Sequence, residues 1–337
     1  MKYVSVGDMA QTYLLRRHNV QLKATMQRLS DELVTGVSQD VGAAVKGDFT
    51  ALAGIDRSLA RIESFQQVTT EVDLLAGTQQ DALELIQGHA SDSGANLILA
   101  ASTLDPATIA STTQDAAQRF GSILGALNVS VAGRYAFSGT ATDTKPVATE
   151  DEIISALETA ISGLTSAGDI ETAVANWFDA PAGSGGYLDL AYSGNDTALD
   201  AFQISNTDQV ALTITATDQT LRDTLKGFAL ATLVARDLVP EDDALRANLT
   251  ETAGERIASS NVSLTTLRAD LGTTQGIIED SKTRNSSEKS ALQLSREALI
   301  GIDEYDSATA LEAVQSQLET LYTLTTRLSQ LSLTDYL

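Results

Sequence analysis

Cysteine is absent from the 337-residue chain. That removes disulfides, thiolate metal sites and thiol catalysis together. Proline is scarce. The four prolines, at 106, 146, 181 and 240, all fall outside the stretches that read as helix, where an interior proline would cost about 3 kcal/mol or more. Aromatic residues make up 5% of the chain against 43% hydrophobic residues in all. Ala, Leu, Thr and Ser therefore do most of the filling, as in the packing of long helices. Basic residues are outnumbered, 22 Lys and Arg against 45 Asp and Glu, for a formal charge of −23. This balance argues against a nucleic-acid partner and against an anionic membrane surface; it serves solubility. No run approaches the roughly 18 apolar residues of a membrane-spanning helix. The first twenty residues carry Lys2, Asp8, Arg16 and Arg17 and lack the continuous apolar core of a cleavable secretory signal.

Chemistry-bearing patterns are missing as well. The two histidines, His18 and His89, stand apart from any cluster at metal-ligand spacing. HExxH, GxSxG, the Walker A motif and a GxGxxG opening a helix do not occur. Gly183–Gly186 lacks the Lys-Ser/Thr of a phosphate cradle and reads as a loop. Asp151-Glu152 and Asp242-Asp243 sit at helix starts, where carboxylates complement the helix dipole. Trp177 and Phe178 read as the core of a small domain. No enzyme, cofactor or metal is expected.

What is present is heptad spacing. Near the C-terminal end, Leu311, Val314, Leu318, Leu321, Thr325 and Leu328 recur at alternating steps of three and four, followed by Leu331, Leu333 and Leu337. This is the seam of a helix that packs lengthwise on another. Near the N-terminal end, Leu15, Leu22, Met26, Leu29 and Leu33 form a seam of the same kind, with polar Asn19 in one of its positions. Each seam needs cover, and each is the natural cover for the other.

Between them, Thr35–Gly47 reads as a hinge, and a second helix runs from about Phe49 to Gln87. Gly88 and Gly94 then break residues 88–104. Asp105-Pro106 reads as an N-cap with proline in the first turn, opening a helix to about Ala132. Thr149 and Glu152 have capping-box spacing, before short helices near 153–164 and 169–178. The period then switches to two at Leu188, Leu190 and Tyr192, at Phe202 and Ile204, and at Val210, Leu212 and Ile214, which predicts strands. Residues 138–240 hold 4 basic and 15 acidic residues, in keeping with an exposed appendage. Helical period returns at Leu221, stops at Pro240 and resumes from Glu241 to about Ile300. The fold class expected is mainly α, an elongated helical bundle or coiled coil with a small inserted α+β domain. Its parts are a terminal helix over 1–40, bundle helices over 41–137, the insertion over 138–220, further bundle helices over 221–302 and a terminal helix over 303–337.

Several segments carry a family resemblance. Gln27-Arg28-Leu29-Ser30 before a glycine-containing polar stretch and a long helix, and the run from Ile302-Asp303 through Tyr305-Asp306, Leu311, Gln315 and Leu318 to Ser329-Gln330-Leu331-Ser332-Leu333, resemble the two ends of the bacterial flagellin family. Asp31-Glu32 stands where that family has Ser-Gly. Gly133-Arg134-Tyr135-Ala136-Phe137-Ser138-Gly139-Thr140 and the ending Ser332–Leu337 resemble the branch found at the hook-filament junction, the hook-associated proteins. The likeness spans roughly 1–90, 120–145 and 225–337. It implies a structural subunit exported through the flagellar type III apparatus without a cleaved signal. It also implies a ring of its own copies, a hook-side junction protein and flagellin as neighbours, and a cytoplasmic export chaperone. The assembly residues would be Leu15, Leu22, Met26, Leu29 and Leu33 at one end and Leu311, Val314, Leu318, Leu321, Leu328, Leu331 and Leu333 at the other. A filament flagellin and a secreted adhesin using the insertion are the other readings.

Overall fold

The computed structural model describes the backbone of residues 6–334 and the side chains of 9–327. Along the chain these are α1 (Val6–Thr35), α2 (Val41–Ala44), α3 (Thr50–Thr103), α4 (Pro106–Leu127), β1 (Ser130–Val131), β2 (Arg134–Tyr135), α5 (Glu150–Ile161), α6 (Ala167–Asp179), α7 (Tyr187–Leu190), β3 (Phe202–Gln203), β4 (Gln209–Val210), α8 (Gln219–Ala235), α9 (Asp243–Ile300) and α10 (Glu304–Thr334). The fold is mainly α. The strands form two antiparallel two-stranded pairs, β1 with β2 and β3 with β4. Two compact units result, one of residues 1–63 with 286–337 and one of residues 64–285. The division falls inside α3 and α9, which each supply residues to both.

In the second unit α8 is the central element. Leu221, Leu225, Phe228, Leu230, Leu233 and Val234 are buried around its whole circumference, and a helix apolar on all sides has to be enclosed. Packing around it are α4, α5 and α6. The one charge this helix buries is Lys226, whose amine donates to Asp179 at 2.7 Å and to Asp223 at 2.7 Å. Partial burial pushes the Asp179 carboxyl up, but the Lys226 and Gln219 hydrogen bonds and the charges of Lys226 and Arg222 outweigh it and hold it below the usual range.

Glycines set the helix spacing here. A Cβ on Gly254 of α9 would lie 2.8 Å from the Gly94 carbonyl oxygen and 2.7 Å from Ile98 of α3. One on Gly227 of α8 would lie 2.5 Å from Ile257. Backbones this close leave no room for a side chain. The sequence reading of Gly88 and Gly94 as helix breaks is therefore corrected. Each costs about 1 kcal/mol of helix propensity, yet α3 runs unbroken for 54 residues because Gly94 is where α9 seats.

Ion pairs flank the same two helices. In the second unit Asp73 meets Lys282 at 2.9 Å and Glu84 meets Arg268 at 2.9 Å; in the first, Asp56 meets Arg296 at 2.9 Å and Glu63 meets Lys289 at 3.3 Å. The acid comes from α3 and the base from α9 every time. Lys282, Lys289 and Arg296 stand seven residues apart, the spacing at which flanking charges specify partner and orientation.

The segment after α4 is a knot of main-chain contacts. Ala132 and Gly133 have φ of 52° and 78°, so the two-residue link between β1 and β2 takes the left-handed conformation that tight hairpins need. The predicted helix end near Ala132 moves back to Leu127 because the hairpin begins there. Phe137 is fully buried, and its carbonyl accepts from the Ala216 N–H at 2.9 Å. Buried Gln79 of α3 donates to the carbonyls of Ala136 at 2.7 Å and Ile214 at 3.1 Å. At Gly139, with φ 59°, a Cβ would fall 2.1 Å from the Asn195 carbonyl. Gly133 and Gly139 in the run 133–140 are thus the residue type their backbone demands.

Two predicted strands take other forms. Leu188, Leu190 and Tyr192 alternate, but α7 forms there. One helical turn brings Tyr187 and Ala191 inward, four residues apart, and leaves Leu190 58% exposed. The Tyr187 hydroxyl donates to the Ala216 carbonyl at 3.0 Å, and enclosure pushes its pKa far up. Leu212 and Ile214 are buried as their alternation implies, but no neighbouring strand pairs with them among the described residues. The hairpin of β3 and β4 is held to α9 instead, where Ser281 and Asn285 both donate to the Ile204 carbonyl, at 3.0 and 2.8 Å.

The glycine argument has a built-in control. Gly254→Leu is expected to destabilise the protein by about 3 kcal/mol through overpacking. Gly272→Ala, in the same helix with nothing near its absent Cβ, should stabilise by about 0.5–1 kcal/mol. Urea unfolding midpoints of the two variants check both signs.

Candidate assembly surface

The first unit is built on α1 and α10, which pack on each other. Neither contains proline, and each presents apolar residues at heptad steps. Leu29 of α1 and Val314 and Leu318 of α10 form a buried cluster, with Leu22, Met26, Ala310 and Leu311 packed against it. Leu321 is buried. Leu15 and Asn19 are half-buried. Beside Asn19, the Tyr322 hydroxyl also engages Lys23, and these two hydrogen bonds lower its pKa. The two predicted seams therefore meet within one chain. Leu33 is 36% exposed and lies outside the cluster. Leu328, Leu331 and Leu333 fall outside the described side chains, as does the Ser332–Leu337 ending.

One step before Leu33, the chain buries Glu32 at 3% exposure. Its carboxylate accepts from Arg28 at 2.9 Å and from the Gln39 N–H at 2.9 Å. A carboxylate can be enclosed when a charge and a hydrogen bond replace its water. The loop after α1 closes over it. Gly36 adopts φ 71° and ends the helix. Val37 then bridges Gly301, the Ser38 N–H donates to the Ile300 carbonyl at 2.9 Å, and the Ile302 N–H donates to the Gly36 carbonyl at 3.1 Å. Asp303 caps α10 by accepting from Tyr305 and Asp306 N–H groups at 2.9 and 3.1 Å. The turn after α1 and the turn before α10 are thereby stitched together at one end of the pair. Sequence spacing did not find Glu32. The signal available was an acidic residue on a helix ending in Gly, with Arg four residues before it.

Outside this pair, a shallow groove of about 500 Å³ between α3 and α4 is lined by Leu85, His89, Asp92, Asp115, Gln118 and Arg119 among others. Arg119 donates to Asp92 at 3.0 Å and to Asp115 at 2.8 Å, and approaches the His89 Nδ1 at 3.4 Å. Burial lowers the His89 pKa and the Arg119 charge adds to that, while Asp92 and Asp115 pull the other way. The guanidinium is saturated by its own carboxylates, so the cluster ties α3 to α4. Trp177 and Phe178 lie in an aromatic cluster with Tyr187, ring centroids 4.9–6.2 Å apart, and belong to the core. Among the described residues, no group of three His, Cys, Asp or Glu is placed to hold a metal ion. No described helix is long and apolar enough to cross a membrane.

The arrangement is that of a mainly helical protein in which α1 and α10 form one apolar pair. No protein-family model matches the chain, and no curated protein matches its sequence. Its fold is similar to a solved structure named "putative flagellar hook-associated protein" from Vibrio parahaemolyticus. The TM-score is 0.54 and the identity 13%, over 76% of this chain and all of the other.

Substitution at the seam should act locally. Leu318→Asp places a carboxylate opposite Leu29 and is expected to cost the α1–α10 pairing about 3 kcal/mol or more. Hydrogen exchange should then speed up across α1 and α10 and stay unchanged in α4 and α8. The His89 contact predicts a pH effect of definite sign. The unfolded chain takes up a proton near the ordinary value of 6.5, and the folded chain resists it until lower pH. This share of stability is present above that value and lost as pH falls through the folded pKa. His89→Gln should flatten the fall in urea midpoint between about pH 7 and pH 5.

Proposed function

We propose that this chain is a structural subunit of the bacterial flagellum, of the hook-associated class, and that it serves as an adaptor at the hook-filament junction. The observation that carries this reading is the fold likeness to the structure named "putative flagellar hook-associated protein" from Vibrio parahaemolyticus. The pairing of α1 with α10 supports it, because a subunit that joins others end to end needs its two end segments held as one body. The run 133–140 supports the junction branch. In this reading copies of the chain associate through the helix pair into a ring, with a hook-side junction protein on one side and flagellin on the other. The chain leaves the cell through the flagellar type III apparatus, held beforehand by an export chaperone, and works outside the cell. The acidic residues of the segment 138–220, as distinct from its buried apolar ones, face water.

A deletion strain viewed by electron microscopy tests the proposal. The expected result is hooks that carry no filaments, with filaments restored by the intact gene. Filaments of normal length on the deletion strain would sink it. If purified protein instead elongates filament seeds without limit, the chain is a filament flagellin.

A further inference from the structure

The outer faces of the helix pair carry matched chemistry that the described residues do not satisfy. From Met9 to Ser30, α1 contains Arg16, Arg17, Lys23 and Arg28 and no acidic residue, in a chain with 45 acidic residues. Tyr13, Arg16, Arg17 and Val20 stand at i, i+3, i+4 and i+7, so they are neighbours on one helix face. At about 100° per residue that face points away from the seam of Leu15, Leu22 and Leu29. Tyr13 is 68% and Val20 67% exposed, and both arginines are exposed. On α10, Tyr305, Glu312 and Glu319 stand seven residues apart on the side turned away from Val314 and Leu318. Tyr305 is 79% exposed and both glutamates are exposed.

Between α3 and α9, by contrast, acid and base at such spacing meet within the chain. Among the described residues, Arg16, Arg17, Glu312 and Glu319 have no ion partner within 4.0 Å. The two patches lie on opposite outer sides of one helix pair, so they cannot reach each other in the same copy. We infer that the outer face of α1 docks on the outer face of α10 of a second copy of this chain, Arg16 and Arg17 opposite Glu312 and Glu319. The contact rests on the self-association in the function proposed above and names its surface. It is not the buried cluster of Leu29, Val314 and Leu318, which each copy uses internally. Because the joined faces differ, the contact is heterologous. Each copy keeps one face of each kind open, and addition continues into a closed ring or an open series rather than stopping at a two-fold dimer.

The full-length protein tests this by sedimentation velocity across a concentration series. Arg16→Glu with Arg17→Glu, and separately Glu312→Arg with Glu319→Arg, should each raise the concentration for half-association on the order of tenfold or more, with circular dichroism unchanged. Mixing the two double variants should restore association, since each then offers the face the other needs. Repair of an internal contact could not be achieved by mixing. Association of the wild type should also weaken as salt is raised, a measurement that needs no variant to fold. Wild-type association indifferent to salt, reversals without effect, or mixing without rescue would overturn the contact while leaving the flagellar reading standing. A wild type that stays monomeric at every concentration likewise overturns the contact, while the flagellar reading stands or falls by the deletion strain. Binding of the wild type to vesicles of phosphatidylcholine with phosphatidylserine, lost only in the arginine variant, would assign the α1 face to an anionic surface instead.

Discussion

The close approach of α3 and α9 is the constraint on which the fold depends. Gly94 and Gly254 let the backbones touch, and no larger residue would allow that distance. Gly227 extends the same device to α8, so three helices share one tight crossing and α8 can be buried on every side. Close packing of small residues gives proximity but says little about which helix is the partner. The charges supply what the glycines lack. With acid always on α3 and base always on α9, a pairing of α3 with another α3 or of α9 with another α9 would set like beside like, whereas α3 on α9 brings opposite charges together. Each pair is surface-exposed and contributes little energy alone. Their uniform polarity gives specificity.

The first unit solves a different problem. Its two main helices come from distant parts of the sequence, and leucine seams are degenerate, since almost any heptad surface fits another. The stitched turns make the pairing definite. Val37 with Gly301, Ser38 with Ile300 and Gly36 with Ile302 fix where α1 stops relative to where α10 starts, and Glu32 under its loop locks the corner. Register then propagates along the seam from that end.

Much of this was readable from the residues. The seams at Leu22–Leu29 and Leu311–Leu321, the cap at Asp105, the Thr149–Glu152 box and the stop at Gly301 are all set by local spacing, and local spacing is what a sequence displays. The misreadings share one cause. Gly94 looks like a helix breaker unless Gly254 is known to be its neighbour. Leu188, Leu190 and Tyr192 look like a strand unless the aromatic cluster around Tyr187 is known to pull a helical turn inward. Glu32 looks like a surface acid until the loop folds over it. In each case a contact far away in sequence overrode a local preference. The seam residues were legible, but not which of them would be used up within the chain. That depends on α1 and α10 being long enough, and close enough, to satisfy each other first.

The pairing of α1 with α10 also imposes an order in time. A ribosome releases α1 long before α10 exists, so Leu22, Met26 and Leu29 emerge with no partner and stay unpaired while nearly the whole chain is made. The second unit is complete sooner, because its last residue, Asn285, is made before α10. Folding of the two units is therefore staggered by synthesis itself. The newborn chain passes through an interval with a packed middle and an open leading helix, whose leucines are available to whatever reaches them first.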